Sequence, residues 1–268
     1  IFGPNSAGKS SLIHGMLLAH EANRIGHFDV FRTEIGGDSV DLGGFRQYIH
    51  RHNLGLQVEC GFELDASRFT GRLAELAAAI RHLEVGIWTG LAQDDKGRPV
   101  AGDSKPQVTS YEITADGRLF LKASRRRDGT LRIDVLDHEH PTLRETFKAM
   151  LIATTTTDTI DPEDFDSMAG VIASLLPELS ISGGNLMPKG LTGIEPDPKS
   201  FLMPVSRAQR RQELENAVRL ILPRTLNDLI GGIHSAVASA LSEKLRYLGP
   251  LRSYPGRHLA FTDYEDAN

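Results

Sequence analysis

The octapeptide Gly3-Pro4-Asn5-Ser6-Ala7-Gly8-Lys9-Ser10 fills the pattern Gly-x-x-x-x-Gly-Lys-Ser/Thr at every fixed position, and no other stretch constrains the chain as much. Gly3 and Gly8 let the backbone take turns that a Cβ would forbid, so that successive N–H groups, those of Asn5, Ser6 and Ala7 among them, can point inward at phosphate oxygens. The pattern requires a helix directly behind the loop. Ser11 to His20 supplies it, with Leu12, Ile13, Met16 and Leu17 on one predicted apolar face. The unpaired donors and partial positive charge of that helix start would sit under the anion. Lys9 would then reach the β- and γ-phosphates, the Ser10 hydroxyl would be a Mg²⁺ ligand, and Ser11 would complete the loop. The expected ligands are therefore ATP and Mg²⁺. Only Ile1 and Phe2 precede the loop and no Met opens the chain, which reads as a fragment whose leading strand has been cut through.

With 268 residues, 40% of them hydrophobic and 24% charged, the chain can bury a sizeable core as one large or two ordinary domains. No apolar run approaches the roughly 20 residues of a membrane span, so no membrane partner is expected. A single cysteine, Cys60, excludes an internal disulfide framework and fits a reducing cytoplasm. Its reading is a small apolar residue of a strand. The net charge of −5 excludes a generally basic surface, but local patches remain open.

Two Gly-Gly pairs, Gly36-Gly37 and Gly43-Gly44, punctuate a short extended piece after the first helix. From Leu54 to Leu64 the residues alternate, with Leu56, Val58, Cys60, Phe62 and Leu64 on one side of a half-buried strand and Gln57, Glu59 and Glu63 on the other. Leu73, Leu76, Ile80 and Leu83 have helical spacing, which predicts a helix over 70–83, followed by a strand over 84–91. A polar loop follows. Strands over 108–114, 118–123 and 130–136, joined by Asp116-Gly117 and Asp128-Gly129, predict an antiparallel meander. Beyond Pro141 the period is helical, with Leu143, Phe147, Met150 and Leu151 in one stripe. Asp161-Pro162 opens a second helix that carries Phe165, Met168, Ala169, Ile172 and Leu176. Residues 177–204 are rich in proline and glycine and read as a long loop. Ser206 to Gln209 reads as a capping box for a helix that Pro223 ends or kinks, with a further helix from Leu226 to Leu245.

Taken together and in order, "IFGPNSAGKSSLI", "DSVDLGGFRQYIHRHN" and "YLGPLRSYPGRH" resemble the stand-alone ABC-type AAA ATPases of bacteria, relatives of the RecF, SMC and OLD ATPases. The resemblance implies an α/β fold, a P-loop NTPase of ABC-ATPase type with a parallel core, an antiparallel β subdomain and a helical insertion. In this sequence those parts correspond to residues 1–140 for the nucleotide lobe, 141–246 for the insertion and 247–268 for the return to the core. The resemblance also implies ATP hydrolysis and a homodimer in which each P-loop is completed by the partner's signature motif. DNA maintenance or anti-phage defence is the setting it implies. An effector nuclease or toxin subunit is a candidate partner.

Such enzymes need an LSGGQ-like signature and a Walker B strand ending in Asp-Glu. Ser180 to Asn185 imitates the first but leads into Met187-Pro188 rather than a helix. Ile133 to Glu139 imitates the second but alternates apolar and polar, whereas a buried parallel strand would be continuously apolar. Both motifs are expected beyond Asn268. A glutamine contacting Mg²⁺ and the attacking water is implied as well. Gln47 is the first candidate and Gln57 the second, against the plain reading of a solvated side chain. His50, His52 and Asn53 cluster without a zinc spacing and read as surface residues. Arg252, in the family-like segment, is a candidate structural or phosphate-facing residue. Arg125-Arg126-Arg127 at a hairpin tip and Arg207 to Arg211 at a helix start make DNA a candidate partner, with a solvated surface as the alternative. A nucleic-acid clamp with ATP as a structural ligand is thus the rival function. A P-loop kinase or transferase is disfavoured by the antiparallel strands that follow the first helix.

Overall fold

A computed structural model of the chain describes residues 9–25, 33–35, 38–40, 44–93, 98–99, 105–145, 162–181, 191–192 and 207–245. Mixed helix and strand surround one antiparallel sheet of seven strands in the order β3-β4-β5-β6-β7-β8-β9. These are β3 (Val58–Asp65), β4 (His82–Gly90), β5 (Gln107–Ala115), β6 (Arg118–Arg125), β7 (Leu131–Leu136), β8 (Ser180–Ile181) and β9 (Leu191–Thr192). A separate hairpin joins β1 (Thr33–Ile35) to β2 (Asp38–Val40). Every described strand pair is antiparallel, so the parallel core implied by the resemblance has no counterpart among the described residues.

The predicted meander forms because its turns suit it. Asp116 (φ 49°) and Gly117 (φ 79°) both adopt the left-handed backbone that a two-residue hairpin demands. The Asp116 carboxylate then accepts hydrogen bonds from the backbone N–H groups of Arg81 (3.1 Å) and His82 (2.8 Å), fastening the β5–β6 turn to the start of β4. β3 alternates as predicted, its apolar row half-buried and its polar row exposed, although it begins at Val58. β8 and β9 lie inside the stretch read as a loop and extend the sheet past β7.

Among the described residues the helices include α1 (Lys9–Ile25), α2 (Phe45–Tyr48), α3 (Gly71–Leu76), α4 (Pro162–Leu175) and α5 (Arg207–Lys244), and residues 141–145 are helical as well. Three predictions are corrected. The helix expected over 70–83 stops at Leu76; Leu83 belongs to β4, in the same buried row as Val85 and Ile87. The two helices expected on either side of Pro223 are one helix of 38 residues. The apolar face expected on α1 is also displaced, since Leu12 and Met16 are 58% and 49% exposed while Leu17, Leu18 and Ala22 are buried. Burial on α1 is set by position along the helix, in its second half, as well as by face. Of the stripe expected from Leu143 to Leu151, Leu143 is buried, while Phe147, Met150 and Leu151 lie outside the described residues.

The core fills one side of the sheet. Cross-strand rows such as Val85–Ile113–Leu121–Leu136 and Ile87–Tyr111–Ala123–Ile133 join one cluster with Leu222, Leu226, Leu229 and Ile233 of α5, Ile172 and Leu175 of α4, and Leu18 and Ala22 of α1. α5 approaches α3 closely at Gly232, where a Cβ would lie 3.0 Å from Leu73 Cδ1. Tyr111 is fully buried, and its hydroxyl finds no hydrogen-bond partner among the described residues. A buried polar atom left unpaired costs its desolvation, so Tyr111→Phe is expected to raise the unfolding free energy by about 1 kcal/mol in urea titrations. A loss of similar size would contradict this account of the site.

Phe120 and His140 meet edge to face, with ring centroids 5.0 Å apart. Burial holds the His140 imidazole below the ordinary histidine value, outweighing the opposing charge of Asp137. The folded state thus resists a proton that the unfolded chain accepts below about pH 6.5. This contribution to stability is complete above that pH and is lost as pH falls through the depressed folded value. His20, lowered chiefly by burial, acts in the same sense. His140→Phe is expected to flatten the rise in urea midpoint between about pH 5 and 7; an unchanged slope would contradict it.

Candidate functional site

Lys9 is the first residue of α1, so the helix required behind the glycine loop begins at the lysine of the pattern. Its first turn contains no acidic residue. The positive end of the helix is therefore not neutralised from within, which suits an anion. Ser11 is exposed on that turn. Gly3, Asn5, Ser6, Ala7 and Gly8 lie outside the described residues, as do the side chains of Lys9 and Ser10. At the other end of α1, Glu21 is buried, 2% exposed, and accepts hydrogen bonds from Arg24 Nε at 3.0 and 3.1 Å. The carboxylate of this pair is buried while the Arg24 guanidinium stays exposed, so the arginine caps a buried charge from the solvent side. Sequence reasoning missed it, because an i, i+3 Glu–Arg pair has the look of an ordinary exposed one.

Gln47 sits on α2 with its side chain exposed. α2 packs through Phe45 in a satellite cluster with Ile49 and Leu91, bordered by Tyr48, Leu54 and Val58. α1 packs in the main core. The helix that carries Gln47 and the buried second half of α1 thus pack in different clusters, both bordered by Tyr48 and Val58. Directly after α2 the chain strains: Arg51 (φ 55°) and His52 (φ 54°) both lie in the left-handed region, which side chains disfavour. His52 Nδ1 bonds to the Arg46 carbonyl oxygen at 2.8 Å, and Asn53 Oδ1 accepts from the Gly55 N–H at 3.0 Å. His50 is exposed. No group of three or more His, Cys, Asp or Glu side chains suited to a metal occurs among the described residues. Gln57, the second glutamine candidate, is exposed beside Gly90 at the end of β4.

The imitation motifs are occupied by structure. Ile133 to Leu136 lie in β7, an antiparallel strand, where Asp134 pairs with Arg126 and Asp137 with Arg118 Nε at 2.6 Å. Ser180 and Ile181 form β8; residues 182–185 lie outside the described residues. Cys60 is half-buried in β3, and burial, aided by the charge of Glu59, pushes its thiol up to about 11. It stays protonated and inert near neutrality.

The arginines of the hairpin tip are also engaged. Arg125 donates to the carbonyl oxygens of Val108 and Gly129, and Arg126 pairs with Asp134. These bonds hold the hairpin together and weaken the reading of that run as a phosphate contact. The side chains from Arg207 to Arg211, and all of 246–268 including Arg252, lie outside the described residues. No described helix is long and apolar enough to cross a membrane. A scan against protein-family models, a search of curated proteins and a search of solved structures each return no match.

Proposed function

We propose that this protein binds and hydrolyses ATP as an ABC-type AAA ATPase with a P-loop NTPase fold, working as an ATP-driven homodimer in the cytoplasm, in DNA maintenance or anti-phage defence. One observation carries the reading: the complete phosphate-loop pattern runs without a gap into a helix that begins at its lysine and has no acid in its first turn. Gly3 and Gly8 would shape the loop, and the backbone from Asn5 to Ser11 would donate to phosphate oxygens. Lys9 would neutralise charge that grows on the transferring phosphoryl group. Ser10 and Gln47 would hold Mg²⁺, which supplies further neutralisation when bound. Light scattering tests the dimer: Mg²⁺ with ATP is expected to double the mass of the intact protein, and a mass indifferent to nucleotide would contradict the proposal.

A further inference from the structure

β3 opens the sheet, and among the described residues it pairs with β4 alone. Its other edge meets no ladder among the described residues and so presents its backbone N–H and C=O groups there. The strand holds eight residues, without proline, in unbroken register with β4 from Val58 to Asp65. Edge strands are commonly blunted by charged side chains, lysine above all, by proline or by a bulge; β3 has neither proline nor bulge, and its charges are all acidic. Here the exposed row carries Glu59 and Glu63, and Glu63 stands directly opposite Glu84, a like-charge pairing that sheets disfavour. The two arginines that share a groove with Glu63 are already engaged: Arg68 with Asp65 at 3.3 Å, and Arg72 with Glu75 at 2.7 Å and Asp228 at 3.7 Å. The other row, Val58, Cys60, Phe62 and Leu64, packs on the core yet stays half-buried. At its Leu64 end this groove of about 790 Å³ opens toward α5, lined by Leu64, Phe69 and Leu73 and also by charged side chains, Glu63, Arg68 and Arg72 among them.

We infer that β3 receives one extended strand of a partner polypeptide whose residues alternate between apolar and basic. The added backbone continues the ladder; its apolar side chains extend the half-buried row toward the groove, and its Lys or Arg side chains face Glu59 and Glu63. A second copy of this chain fits poorly, because two β3 strands side by side would set glutamates against glutamates. This inference does not rest on the nucleotide reading.

The test uses the full chain and a dye-labelled peptide of alternating valine and lysine, matched to the eight residues of β3. Two control peptides have the scrambled order and the alternating valine–glutamate sequence. Binding is read by anisotropy, by the emission of Trp88, which lies opposite Glu59 on β4, and by amide hydrogen exchange. The lysine peptide is expected to bind and to slow exchange across Val58–Asp65. Reversing charge in the Glu59→Lys/Glu63→Lys double variant is expected to cost at least about tenfold in affinity and to transfer binding to the glutamate peptide. Both positions are exposed, so circular dichroism should show the fold retained. No binding by the lysine peptide, equal binding by the scrambled one, protection outside β3, or unaltered affinity in the double variant would each overturn the inference. Self-association that protects β3 without peptide would overturn it too, by assigning the edge to a second copy.

Discussion

Replacing Lys9 with alanine is expected to weaken ATP binding by the intact protein at least about a hundredfold, and to remove ATP-driven dimerisation with it. Charge-assisted hydrogen bonds are worth roughly 1.5–3 kcal/mol each, and a P-loop lysine makes them to two phosphates. The loss falls on the triphosphate and spares the fold, because Lys9 stands at the start of α1 while the buried part of the helix runs from Leu17 to Ala22. Calorimetric titration of the variant measures the first effect and its urea midpoint the second. Unchanged ATP affinity would remove Lys9 from the site. A loss of affinity accompanied by unfolding would assign Lys9 a structural role instead.

The second large effect concerns α1 itself. Leu17→Ala is expected to cost about 2–5 kcal/mol of stability, the range for deleting a buried leucine side chain and leaving a cavity. Leu12→Ala, only five residues earlier on the same helix, should change stability by less than about 0.5 kcal/mol, because alanine is the better helix former and little burial is lost. The difference follows from their exposures, 1% at Leu17 and 58% at Leu12. Urea titrations of both variants decide it. Equal costs would mean that the face of Leu12 is packed in solution.

That contrast shows where the sequence could be read and where it could not. The alternation of β3 is legible because a strand with one half-buried row writes a period of two into its residues. The turns at Asp116-Gly117 and Asp128-Gly129 are legible because few residues tolerate their backbone, with Gly117 and Gly129 both at positive φ. Pro162 marks the start of α4 for an equally local reason. Leu83 misleads because Leu73, Leu76, Ile80 and Leu83 fit a helix while Leu83, Val85 and Ile87 fit a strand. Pairing with β3 and β5 on either side selects the strand. Pro223 misleads in a similar way: proline costs a helix interior about 3 kcal/mol, yet Val218, Leu222, Leu226, Leu229 and Ile233 are buried in one stripe across it. Burying those side chains, at roughly 1.5–3 kcal/mol each, outweighs the break. Of the candidate site, the helix beginning at Lys9 is legible from a motif that dictates it. The packing of the helix that carries Gln47 on a satellite cluster is not, since it depends on Phe45 and Leu91 coming together across the chain.

A glycine loop that grips a triphosphate is the central claim, and binding by the unaltered protein tests it most directly. Titrated in a calorimeter with Mg²⁺ present, it should take up ATP, release it to ADP or pyrophosphate, and ignore AMP, which lacks the phosphates that Lys9 would reach. Binding AMP as tightly as ATP, or binding neither, would contradict it.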